Sequence, residues 1–83
     1  MMQDVIEARK KVYRFLYLER IENPRAAFER HELGFTDRKL SDAALDLALE
    51  LGHVELVRGR YFRMTATGML HAEGCGWIEE KNA

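Results

Sequence analysis

The chain has 83 residues, 47% of them hydrophobic and 33% charged, with a formal net charge of −1. That balance fits one small globular domain and excludes a disordered polar chain. It also means that any nucleic-acid site must come from local clustering of cations, because there is no overall basic excess. No apolar run approaches the roughly 18–20 residues needed to cross a bilayer, and the charged N-terminus lacks a signal-peptide core. With Cys75 the only cysteine, an intramolecular disulfide is excluded and a reducing, cytoplasmic location is expected.

The segment MQDVIEARKKVYRFLYLERIE predicts a long first helix, with Asp4 and Glu7 early and Arg20 late, as the helix dipole prefers. Phe15, Ala8, Val12, Val5 and Leu16 form one apolar stripe, and Tyr13, Ile6 and Tyr17 widen it to an arc of about 200°. One core needs less than that. The surplus face is expected to meet either the chain's own C-terminus or a second subunit.

The next segment, ENPRAAFERHELG, predicts a short second helix with Asn23 as N-cap, Pro24 at the first helical position and Gly34 closing it in a left-handed conformation. Ala27, Phe28 and His31 would form a modest inward side, with Ala26 and Leu33 beside them. FTDRKLSDAALDLALELG predicts a third helix capped by Thr36, or by Ser41 if the first turn is irregular, and stopped by Gly52. Leu40, Ala44, Leu47 and Leu51, helped by Ala43 and Ala48, give its inward ladder. Arg38, Lys39, Asp42, Asp46, Leu49 and Glu50 would then face outward.

Two strands follow. Val54 and Leu56 alternate with Glu55, Phe62 and Met64 alternate with Arg63, and Arg58-Gly59 supplies the turn. Thr65 then caps a short helix ending at Gly74, with Met64 and Met69 placed as a hydrophobic staple. The tail CGWIEEKNA carries the only tryptophan. Trp77 and Ile78 are expected to cover the surplus face of the first helix, so that Ile6, Tyr13, Tyr17, Trp77 and Ile78 form a tail-packing or dimer surface. The chain reads as one domain with its core at about 5–73 and a packing tail at 74–83.

The order helix, helix, glycine turn, helix, two-stranded hairpin, short helix resembles a winged helix-turn-helix domain, mainly α with a small antiparallel β-hairpin. LALELGHVELVRGRYFRMTATG is similar to the stretch where MarR-like regulators run from the recognition helix into the wing. Phe62, Met64, Thr65 and Gly68 occupy the places of an aromatic-x-hydrophobic-Thr-x-x-Gly signature. Arg30 departs from the pattern, standing where a small residue is usual.

The resemblance implies that the third helix enters the major groove of DNA while the wing touches the backbone or the minor groove. The residues matching those roles are Arg38, Lys39, Ser41 and Asp42 on the helix and Arg58, Gly59, Arg60 and Arg63 on the wing. Against it, Asp42, Asp46 and Glu50 make an acidic line that repels phosphate. Arg9, Lys10, Lys11 and Arg14 add a basic cluster on the first helix, read first as a solvated face. His31, His53 and His71 lack metal-ligand spacing, and no nucleophile–base pairing, phosphate loop or dinucleotide fingerprint is present. No metal, cofactor or enzymatic activity is therefore expected. The expected function is a small winged-helix binder of double-stranded DNA that regulates transcription. Its rival is an interaction module without DNA affinity, meeting a homodimer mate or another protein partner.

Overall fold

A computed structural model describes residues 2–35 and 37–78. Three helices pack round a three-stranded antiparallel sheet, in the order α1 (Met2–Glu22), β1 (Phe28–Glu29), a 3-10 helix (Arg30–Leu33), α2 (Arg38–Glu50), β2 (Val54–Val57), β3 (Tyr61–Met64) and α3 (Ala66–Gly74). No helix among the described residues is long and apolar enough to cross a membrane.

The first helix runs as predicted and buries Ala8, Val12, Tyr13 and Leu16 along one stripe. Its surplus aromatic face is covered from within the chain. Trp77 meets the Tyr13 ring edge-on at 5.1 Å, and Tyr17, Trp77 and Ile78 all pack against the core. Ile6 stays partly exposed at the margin.

The predicted second helix is replaced. Asn23 ends α1 and its side chain accepts a hydrogen bond from the Arg25 backbone, while the Ala26 N–H closes a turn on the Asn23 carbonyl. Proline fixes one φ value that suits the first residue of a helix and the second residue of a turn alike, so the Asn-Pro signal served the turn. Too few residues remain before Gly34 for a stable helix. Phe28 and Glu29 instead add a strand to β3, in register with Phe62 and Tyr61. The sheet therefore has three strands in the order β1-β3-β2, where a two-stranded hairpin was expected. Gly34, expected to be left-handed, has φ −89°, because a 3-10 turn does not need that closure.

The third predicted helix forms, capped by Asp37, whose side chain accepts from the Lys39 and Leu40 backbone N–H groups. Thr36, the expected cap, lies outside the described residues, and Ser41 sits inside the helix and is buried. The inward face is Ser41, Ala44, Leu45 and Ala48. That is a rotation of about 80° from the expected ladder, at 100° per residue. Leu49 turns out to pack against the core, and Leu51 and Ala43 are exposed. Leu40 and Leu47 border one side of the apolar arc and Leu45 and Leu49 the other, so periodicity alone does not choose between them. Ser41, Ala44, Leu45 and Ala48 are the side chains this helix buries, and how they fit their neighbours fixes the rotation.

In the hairpin, Val54 faces Met64 and Leu56 faces Phe62 on one side, while Glu55 faces Arg63 on the other. Val54, Phe62 and Met64 are buried. Leu56 shares their face but lies beyond the edge of the core, so it stays exposed. Thr65 caps α3 as predicted, its hydroxyl oxygen accepting from the Gly68 N–H at 3.1 Å. The same hydroxyl donates to the Gly52 carbonyl at 2.6 Å, tying α3 to the end of α2.

Between α1 and α3 lies a partly buried polar cluster. Tyr13 and His53 share a 2.6 Å hydrogen bond, and His71 stacks on His53 at 4.4 Å. Arg9 donates to the Tyr13 oxygen and lies over the Trp77 ring at 5.3 Å. Burial, helped by the neighbouring His71 and Arg9, pushes the His53 pKa below its ordinary value. Unfolded His53 takes up a proton near pH 6.5, whereas the folded ring resists it. Stability should therefore be level above about pH 6.5 and fall as the pH drops from there through the lowered value. Melting temperatures of wild type and His53→Gln between about pH 7.5 and 5.5 check this, and an equal slope in both proteins would refute it.

Candidate nucleic-acid interface

The inner face of the sheet, the 3-10 helix and the start of α2 enclose an open groove of about 670 Å³. Leu56 and Phe62 form an apolar wall, while Arg30, Arg38, Asp42, Gly59 and Arg60 supply the polar edges. Helix start and hairpin turn, far apart in sequence, thus face one cleft.

Arg38, Ser41, Asp42, Gly59 and Arg60 from the sequence-derived set line this groove. Arg38 is the most open, with its side chain 91% exposed and only a 4.0 Å approach to Asp42. Ser41 is buried in the groove floor. Lys39 stands exposed beside it on the outer face of α2. Arg60 donates to Glu29 at 2.8 Å and lies over the Tyr61 ring. Arg58 occupies the hairpin tip with φ 56°, followed by Gly59 at 73°. Two left-handed residues in succession are what a tight inward-twisting turn demands, and an arginine there costs about 1–2 kcal/mol that asparagine or glycine would largely avoid. Arg58 has no ion-pair partner among the described residues. Arg63 is placed differently. It lies on the opposite face of the sheet, 22% exposed, held by Glu55 and by the Pro24 carbonyl.

Arg30 was missed as a site residue. Its guanidinium donates to Asp42 and to Asp46, each at 3.1 Å, and covers the Phe62 ring at 5.1 Å. One cation thereby meets two of the three carboxylates in the acidic line. The available signal was a bulky cation upstream of two aspartates one helical turn apart.

The basic cluster on α1 disperses. Arg9 folds onto Tyr13 and Trp77, and Lys10 pairs with Glu7 at 3.4 Å. Lys11 and Arg14 border a separate groove with Phe15, Leu18 and Phe35. Among the described residues no group of three His, Cys, Asp or Glu side chains is placed to hold a metal ion. Cys75 is exposed, with its sulfur 3.5 Å from Nε2 of His71. No family model, characterised protein or solved structure matches the chain.

Proposed function

We propose that the chain is a small winged-helix protein that binds double-stranded DNA, with α2 entering the major groove and the β2–β3 turn reaching along the backbone. The element order, with β1 inserted before the 3-10 helix, is compatible with that fold. The observation that carries the reading is the convergence of Arg38 and Arg60 on one groove, with Arg58 next to Gly59 at the hairpin tip and Arg30 paired with Asp42 and Asp46. A left-handed arginine at an exposed tip supports it, since conformational cost concentrated at one residue points to a contact made there. Arg38, Lys39, Arg58 and Arg60 are the phosphate-binding set. Regulation of transcription is the biological role that such binding would serve.

Four phosphate contacts predict a slope of about −3 to −4 in log affinity against log salt. Labelled duplex DNA followed by fluorescence anisotropy should show binding in the micromolar range at about 50 mM salt. Arg58→Ala with Arg60→Ala should weaken it more than tenfold and lower the slope by about two. Arg58→Gly alone should weaken binding while raising stability by about 1 kcal/mol. Affinity that ignores these changes, or no binding at low salt, removes the reading.

One observation favours the rival, a protein-interaction module. Glu29 already occupies Arg60, so phosphate must displace a carboxylate at 2.8 Å. In that case the groove would take a partner of mixed charge, and the anisotropy titration would stay flat.

A further inference from the structure

The aromatic face that the sequence offered for dimerisation is used inside the chain, yet α1 keeps a second apolar face. Phe15, Leu18 and Phe35 line an open groove of about 320 Å³ with Lys11 and Arg14 at its rim. Leu18 is 43% and Phe35 38% exposed, and the Phe15 and Phe35 rings lie 5.1 Å apart as one apolar floor. Ile21, 60% exposed, continues the surface toward the end of the helix.

We propose that this face binds a second copy of the same chain, with the two α1 helices antiparallel about a two-fold axis. The argument is the order of charges along the helix. Lys11 and Glu22 are both exposed, and neither has an ion-pair partner among the described residues. Eleven residues separate them, which places them about 16 Å apart along the axis and within about 20° around it. Their midpoint falls between Leu16 and Tyr17, and so does the midpoint of Phe15 and Leu18. A single axis there sets Lys11 against Glu22 of the mate at both ends, with Phe15 against Leu18 between them. A parallel pair would oppose Lys11 to Lys11 and Glu22 to Glu22. The sequence therefore complements itself in one orientation only, and this selects a second copy over an unrelated acidic helix. No residue lines both this groove and the proposed DNA groove, so the two readings stand or fall separately.

Sedimentation equilibrium of the full chain should show a monomer–dimer equilibrium with a dissociation constant of about 10–100 µM. Lys11→Glu places like charges at both ends and should weaken association at least tenfold, as should Glu22→Lys. The double variant K11E/E22K restores both pairs with reversed sign and should return to within about threefold of wild type. Both positions are exposed, and circular dichroism of each variant confirms folding. A wild type that stays monomeric up to about 1 mM overturns the proposal. So does a double variant no stronger than either single one.

Discussion

Gly68→Ala is expected to lower stability by about 3 kcal/mol or more, a large effect for adding a single methyl group. A methyl group at residue 68 would sit 2.1 Å from the His53 carbonyl oxygen, 2.9 Å from its carbonyl carbon and 3.0 Å from its Cα. These are backbone atoms, so no side-chain rotation relieves the clash, and α3 must move away from the start of β2. That movement would break the Thr65 N–H bond to the His53 carbonyl at 2.9 Å and strain the cap between Thr65 and Gly68. For a domain of this size each kcal/mol is worth about 4–8 °C in melting temperature, and total stability is about 5–15 kcal/mol. Gly74→Ala provides the contrast. Nothing lies within 4 Å of a methyl at residue 74, in the same helix, so that change should be neutral or raise stability by up to about 1 kcal/mol. Thermal melts of the two variants check this, and a G68A protein melting within a few degrees of wild type would refute the close approach. The threonine and glycine of the signature thus serve one junction: Thr65 caps the helix and Gly68 lets it touch the turn.

Arg30→Ala is expected to weaken DNA binding by about tenfold to a hundredfold while changing stability by only about 1–2 kcal/mol. The stability effect is small because the pairs with Asp42 and Asp46 are partly solvated, and exposed ion pairs contribute little. If the groove takes DNA as proposed, the binding effect is large because removing one cation leaves two carboxylates in or beside the groove that would face phosphates. Adding Asp42→Asn and Asp46→Asn to Arg30→Ala should recover most of the loss, since the variant then lacks the cation but also the repulsion. On the proposed DNA-binding reading, Arg30 would set the charge of the helix face, whereas Arg58 and Arg60 would contact phosphate directly. Anisotropy titrations of the single and triple variants distinguish these roles. Equal affinity for wild type and Arg30→Ala would remove Arg30 from the mechanism.

Local signals in the sequence set the ends and turns of several elements. The first helix, the Arg58-Gly59 turn, the Thr65 cap and the closing of the third helix before Gly52 were all legible, because each depends on residues within a few positions of one another. Side-chain reach across the fold was not. Arg30 finds Asp42 and Asp46 only once the 3-10 helix and α2 are packed together, and Arg63 turns to Pro24 only once α1 ends beside β3.

Local patterning alone specifies a helical chain with one hairpin and a cation at the tip of its turn. Long-range packing does the rest. It converted residues 23–33 from helix to turn, strand and 3-10 helix, because pairing Phe28 with the Phe62 strand outweighs the weak preference of a short helical segment. It rotated α2 to bury Ser41, Ala44, Leu45 and Ala48 in place of the expected leucine ladder, because which face fits depends on neighbours supplied by the rest of the chain. It also settled whether Trp77 faced solvent, a mate or its own first helix, since burying that ring against Tyr13 depends on contacts made across the whole chain.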